Sequence, residues 1–562
     1  MPSLSLRLIA LSCGFTLAAV GCNAVLGLDK LTVEPAHSDS DAGHPRGTGG
    51  GAGTGGGSAV DSGLGGQEGD CKTNDECVQR FSTQSAQSIS ATATDGGIVP
   101  AICVKQGHHC MPLLSEDCDT VTGNYHDDRA VIIGTLFSTK GAQAATNLPR
   151  QQSAQLAADE INAVGGIPGA TVDGSRPIVL VSCDESTNLV RAGTHLISDL
   201  QVPAIVGPNT SQDTLDLSNK LSISAGTVVM TPTGVASSIA DLTDNDLTWL
   251  MVPSDVQRAP LMISQLGDLE TQIKTERSVS KVKLGVIYRN DALGIGTRTS
   301  LDTLVINGKP ISDAVNLGQN VKISPYEFAA PDQNAIVSDY LKFLPDIVVV
   351  AGLAEAITQI IVPIEKQWPK SESDLGHRPM YVMIDQLKVP DLITAVTGND
   401  DLRRRVRGTG ITPAPTSTAV YNAFQIDFLS RHPMTSAKIS GMGPSYDAVY
   451  GIAYALAATK DKEATGRNIA TGLRMLAGGA TVIQNSGTKV LAAFQRLAAG
   501  DKITAIGTFG PLEWDQNGAV VGGTLQMWCI DGTGPTPAYQ DSGLTYDIKA
   551  QKFAGAYTAC GP

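Results

Sequence analysis

The sequence predicts an α/β protein of two lobes, each a doubly wound parallel sheet, preceded by a small cysteine-rich module. Three observations point there. Short apolar runs alternate with helix-like stretches, and the alternation occurs twice. Each apolar run ends in Gly, Pro or small polar residues where the next helical pattern begins. The chain has 562 residues, too many for one core and enough for two.

In the first series, AVIIGTLF (130–137) reads as a buried strand. LPRQQSAQLAADEINAVGG (148–166) then reads as a helix, with Ala154, Ala157, Ala158 and Ile161 on one face and Gly165-Gly166 as its stop. RPIVLVSCD (176–184) is the second strand. Ser186 or Thr187 caps the next helix, whose stripe is Leu189, Gly193, Leu196, Ile197 and Leu200. Residues 202–206 form the third strand, Thr214 to about Leu221 its helix, and TVVMTP (227–232) the fourth strand. The second series runs KVKLGVIYR (281–289), a helix over 297–306, DIVVVAG (346–352), a helix over 353–368, and PMYVMID (379–385). Strands joined by helices pair in parallel, with right-handed crossovers.

In open parallel sheets, ligands sit outside the carboxyl ends of the strands. The stretch VPAIVGPNTSQDTLDLSN (202–219) ends its strand at Gly207-Pro208 and opens a helix with Asn209, Thr210 and Ser211. A helix N-terminus presents unpaired N–H groups, and its partial charge contributes roughly 0.3–2 kcal/mol to an anion. The hydroxyls of Thr210 and Ser211 can cap that helix or donate to a carboxylate. MTPTG (230–234) repeats the arrangement one strand later with Thr231 and Thr233. Plain capping and anion binding both fit these residues.

The N-terminus reads as an export signal. Arg7 supplies the positive charge, and LIALSCGFTLAAVG (8–21) is an apolar stretch too short for a comfortable transmembrane span. It ends in AAVGC, which resembles a bacterial lipobox with looser residues at Ala19 and Val20. That resemblance implies cleavage after residue 21 and lipidation of Cys22, which would anchor the chain to a membrane. An ordinary secretory cleavage nearby is the other reading. Residues 41–69 hold 13 Gly in 29 positions and almost no large apolar side chain, so 22–70 reads as a flexible tether. The formal charge of -14 and the lack of a basic stripe argue against nucleic acid as a partner.

Eight cysteines remain in the mature chain: Cys71, Cys77, Cys103, Cys110, Cys118, Cys183, Cys529 and Cys560. An even count in an exported chain predicts disulfides. Residues 71–128 read as a stapled module in which Cys183 is a sixth member, and Cys529 and Cys560 bracket the tail. His108 and His109 beside Cys103, Cys110 and Cys118 raise zinc, but no C-x2-C spacing is present, so no metal is assigned. No cofactor is expected either. His195 is expected on the solvent side of its helix, ALGIGT (292–297) as a loop, DDLRRRVRG (400–408) as a solvated helix face, and Trp514 and Asp515 as hinge packing.

Several motifs stand in one order: VIIGTLFSTKG…LAADEINAVGGIPG (131–169), PIVLVSCDES (177–186), PAIVGPNTS (203–211), VVMTPTG (228–234), YDAVYGIAYALA (446–457) and FGPLEWDQNGAVVGG (509–523). Together they resemble the type 1 periplasmic binding proteins of the leucine/isoleucine/valine-binding family, over about residues 130–530. The resemblance implies two lobes joined by three hinge strands, closing over a ligand. Crossings would fall near 255, 415 and 507. Lobe 1 would be 129–255 with 416–506, lobe 2 would be 256–415 with 507–532, and 533–562 would be a C-terminal tail. It further implies that Ser211 and the 231–235 segment, with Thr233 through its main chain, hold an α-carboxylate. Asp385 would face the α-ammonium where the family carries Glu. Thr146 and Leu353 fall where the family has aromatic walls, and Val235 where it has a threonine, which departs from a branched-chain pocket. Cys183 lies near one half of the family's first-lobe disulfide, while Thr210 occupies the other.

The expected function is an extracytoplasmic solute-binding lipoprotein that captures a small polar ligand, an amino acid being the implied case, for an ABC permease. A ligand-sensing or scaffold lipoprotein with the same fold is the alternative. Catalysis is not expected, since the chain has no G-x-S-x-G, no H-E-x-x-H and only eight His.

Overall fold

The computed structural model describes residues 71–85, 97–169, 174–369, 378–436, 438–460, 462–532 and 536–560. The signal peptide, Cys22 and the Gly-rich tether lie outside the described residues.

The first lobe is built on a six-stranded sheet. Its strands lie in the spatial order Cys118–Thr122, Ile178–Asp184, Val131–Phe137, Ala204–Val206, Val228–Thr231 and Thr248–Leu250. The last five are parallel. Val131–Phe137 and Ile178–Asp184 are buried along their whole length, which is why they read as unbroken apolar runs. Helix Ala144–Ala163 and helix Met442–Ala458 cover one face. The second of these is buried from Met442 to Ala457.

The second lobe carries an eight-stranded sheet. Val321–Tyr326, Leu284–Arg289, Ile347–Ala351, Met380–Met383 and Val406–Thr412 run parallel, and Thr524–Asp531 pairs antiparallel with Val406–Thr412. The C-terminal segment, expected as a tail, extends this sheet with Ala538–Asp547 and Lys552–Ala554. Its polar, alternating residues gave little apolar signal because one face of the added strand is open to solvent. The chain passes between sheets three times: after Thr248–Leu250 into helix Asp255–Arg277, after Val406–Thr412, and after Ile503–Ile506.

The cysteine-rich segment contains helix Asn74–Ser85 and a hairpin of Ala101–Val104 with His109–Pro112, stapled by Cys71–Cys103 and Cys77–Cys110. The sulfurs of Cys71, Cys77 and Cys103 lie within 4.8 Å of one another because these two disulfides are adjacent. Cys118 pairs with Cys183, and the same segment adds an antiparallel edge strand to the first sheet. Cys529–Cys560 ties the C-terminus back to strand Thr524–Asp531.

Four local readings are corrected. Asn188, not Ser186 or Thr187, caps its helix by accepting from Arg191 N. ALGIGT is no loop: Asp291 accepts from Gly294 N, and the helix runs Ala292–Ser300 rather than over 297–306. His195 is buried, not solvated, because the cysteine-rich segment covers its helix, and its Nε2 lies 3.1 Å from Leu113 O. The charged run is only partly a solvated face. Arg405 is buried and grips Glu365 with both terminal nitrogens at 2.9 and 2.6 Å, while Arg403 donates to Ile530 O. Trp514 packs edge-on against Trp249 and donates to Leu250 O beside the first crossing. Among the described residues, no helix is long and apolar enough to cross a membrane.

Candidate functional site

The carboxyl ends of the first sheet's strands face the second lobe. Ala204–Val206 stops at Gly207, whose φ is +119°; a Cβ there would sit 2.1 Å from Leu136 O, so only glycine fits. A cis peptide joins Gly207 to Pro208. Thr210 then caps the helix that opens at Ser211. Its Oγ1 accepts from Asp213 N at 3.1 Å and donates to Asp213 Oδ2 at 2.6 Å.

The other expected hydroxyls are also engaged within the lobe. Ser211 Oγ accepts from Val235 N and Ala236 N at 3.0 and 3.2 Å. Thr231 donates to Pro208 O and accepts from Gly234 N. Thr233 donates to Asn209 O at 2.5 Å. These bonds knit the loop after one strand to the loop after the next, so the hydroxyls fix the shape of the cleft floor. The Ser211 hydroxyl proton has no acceptor among the described contacts and remains a donor.

A cation stands at the centre of this floor. Arg150 is buried on helix Ala144–Ala163 and donates through Nη1 to Asn147 Oδ1 at 2.7 Å and to Asn209 Oδ1, and through Nε to Ser440 O at 2.7 Å. Burial pulls its pKa down to about 10, against the opposing pull of Asp385 and Glu185. Gly441 makes room for it, since a Cβ there would lie 2.8 Å from Arg150 Nε and 2.4 Å from Thr233 Cγ2. Glu185 accepts from Asn209 N and Ser138 Oγ, and its Oε2 is buried without a hydrogen bond. Burial, with Asp213 adding to it, pushes the Glu185 carboxyl well above the usual carboxylate range.

The second lobe closes on this floor. Gln386 Nε2 donates to Thr233 O at 3.5 Å, and Ala292 N donates to Gln212 Oε1 at 3.3 Å. Thr146, Ser211, Thr233, Arg150 and Leu353 all line one cavity of about 20 Å3 between the lobes. That is room for about one water molecule. Asp385 is not among its walls. It is buried and paired with Arg258, whose Nη1 lies 2.5 Å from Asp385 Oδ1, although the approach lacks hydrogen-bond alignment. Its charge is answered by Arg258, and it lines a different, larger cavity between the lobes.

The sequence places Asn209 at the helix start without a role and leaves Arg150 and Arg258 unassigned. Two of these had a signal. Arg150 stands four residues before Ala154 and Arg258 four before Met262, so each lies on the buried stripe of its helix.

The fold is that of the type 1 periplasmic binding proteins. LivJ of Streptococcus pneumoniae, a branched-chain amino acid transporter substrate binding protein in complex with isoleucine, aligns with a TM-score of 0.53 at 17% identity, over 73% of this chain and 99% of that one. A periplasmic binding protein type 1 from Bordetella pertussis aligns at 0.51 and 13% identity, over 73% and 100%. A solute binding protein of an ABC transporter from R. palustris, in complex with 4-hydroxybenzoate, aligns at 0.51 and 12% identity, over 73% and 96%. No protein-family model and no curated protein matches the sequence. At these identities the likeness establishes the fold.

Two outcomes follow for the buried charges. Arg258→Met leaves Asp385 buried and unpaired and lowers unfolding free energy by about 3–5 kcal/mol, whereas Arg258→Met with Asp385→Leu costs less than that single change. Urea unfolding of both variants checks this. The second concerns Asp447, whose carboxylate accepts from Thr508 N, Thr508 Oγ1 and Asn485 Nδ2 at the third crossing. Burial raises its pKa from 3.8 to about 6. Between those values the native state keeps a proton that the unfolded chain has released, so stability falls as pH rises through the window and levels off above it. The wild type then loses about 2 kcal/mol between pH 4 and 6 relative to Asp447→Asn, measured by urea unfolding at each pH.

Proposed function

We propose that the protein is an extracytoplasmic solute-binding lipoprotein. It captures a small polar ligand between its lobes and presents it to an ABC-type importer. Cys22 carries the lipid, and residues 22–70 tether the lobes to the membrane. The observation that carries this reading is the buried Arg150 beside the Ser211 helix start, at the carboxyl ends of a parallel sheet and facing a second lobe. A cation and a helix N-terminus at a switch point between lobes favour the carboxylate of a ligand. An amino acid is the ligand that the sequence resemblance implies. Because the space at Thr233 holds about one water, the lobes part to admit a ligand and close on it by hinge motion.

A second reading has its own support. Thr210, Ser211, Thr231 and Thr233 are bonded within their lobe, and Asp385 is paired with Arg258. This favours a sensing or scaffold lipoprotein that keeps the fold without transport.

Thermal unfolding of the purified protein against amino acids, small amides, organic acids and sugars separates a ligand-binding receptor from a scaffold. A ligand at about 100 times its Kd adds roughly 2.7 kcal/mol to the native state. The receptor reading expects one solute to raise the Tm and Ser211→Ala to remove the rise. A flat response to every solute favours the scaffold.

A further inference from the structure

A second cavity, of about 270 Å3, lies on the hinge side of the cleft and shares no lining residue with the space around Thr233. Both lobes build it. Tyr421 comes from helix Thr418–Arg431, packed against the first core, and Phe509 from the third crossing. Lys388 follows the short turn Asp385–Leu387 of the second lobe, and Tyr539 comes from the added C-terminal strand. The cavity therefore depends on a segment outside the region that resembles other binding proteins.

Its chemistry is uneven. Lys388 is partly buried, and its ammonium has no hydrogen bond or ion pair among the described residues. The contact it makes is with the Tyr539 ring, 5.6 Å from Nζ to the centroid. Two carboxylates, Asp385 and Asp541, line the same cavity and lie in electrostatic reach of the ammonium. Asp385 is committed to Arg258, and Asp541 is exposed at the rim, where its Oδ1 accepts from Gly543 N. Burial draws the Lys388 pKa below its ordinary value, as expected for an ammonium removed from water without a bonded anion. Lys438, exposed on the loop of the first lobe, adds a second positive charge. The rest of the wall includes the rings of Tyr421, Phe509 and Tyr539. Tyr539 is fixed by donating to Val389 O at 2.7 Å, and Phe509 is buried.

We propose that this cavity binds an aromatic monocarboxylate, its carboxylate on the Lys388 ammonium and its ring against Tyr421, Phe509 and Tyr539. The assignment deepens the receptor reading and rests on it. A ligand held this way joins both lobes, so binding favours the closed form. It also selects against an amino acid, because of the two carboxylates on the wall Asp385 is paired with Arg258 and Asp541 is exposed, so an α-ammonium would find no free buried anion.

Calorimetry on the full-length protein in detergent tests it with 3-phenylpropanoate, benzoate, 3-phenylpropanamide and L-phenylalanine. One of the two carboxylates binds, and the amide and the amino acid bind at least about 10-fold more weakly. Lys388→Met weakens the carboxylate by about 10- to 100-fold. Equal binding of carboxylate and amide, no binding of either carboxylate, or an unchanged affinity in Lys388→Met overturns the proposal. If Lys388→Met does not fold, the comparison of carboxylate, amide and amino acid on the wild type decides. If both carboxylates fail while leucine still raises the Tm, the receptor reading stands and this cavity is not its site.

Discussion

Arg150 brings a full positive charge into a site from which water is excluded, and the surrounding chain is arranged to solvate it. Two side-chain amides and one carbonyl accept its protons. Asn209, which accepts from it, lies in the loop that Thr233 bonds, and that loop carries Ser211 into place. The carbonyl belongs to Ser440, directly before the glycine whose missing side chain leaves the guanidinium its space. A buried cation solvated by dipoles alone keeps residual positive potential, the property that suits a cleft meant for anions. Removing this one side chain would leave Asn147, Asn209 and Ser440 O without their donor at the point where three segments of the first lobe meet.

The second lobe answers with its own ion pair. Arg258 and Asp385 neutralise each other beside the first crossing, and Asp447 locks the third crossing to helix Met442–Ala458. Charges at hinges hold strand crossings in defined geometry while leaving the lobes few direct bonds to each other. The two inter-lobe contacts of the cleft, Gln386 to Thr233 O and Ala292 N to Gln212, are long for hydrogen bonds and join uncharged groups. That balance suits a molecule that opens and closes.

Much of this architecture was legible because the parallel strands are buried on both faces. Val131–Phe137, Ile178–Asp184 and Ile347–Ala351 are therefore mostly apolar, with Thr135, Ser182 and Asp184 as buried polar exceptions, and the helices between them show one stripe. The disulfides were legible from the even count of cysteines after Cys22. The less visible parts share one physical cause, which is polar residues used inside. Arg150 and Arg258 drew no assignment, Arg403 and Arg405 read as a solvated run, and His195 as exposed, yet each is buried with partners supplied by distant segments. The strand Ala538–Asp547 was read as tail because its pairing partner, not its own hydrophobicity, makes it a strand. At the cleft, sequence brought Thr146, Ser211, Thr233 and Leu353 to one place, but it had no means of showing that Asp385 would be paired.

Closure over a ligand is the central claim, and a distance between lobes tests it directly. Spin labels at Leu491 of the first lobe and Val305 of the second, both half exposed, report it by pulsed electron resonance. Without solute the distance distribution is expected to be broad or two-peaked, collapsing to one closed distance when an amino acid or aromatic carboxylate from the panels above is added. A single distance unchanged by every solute would contradict it and describe a rigid scaffold.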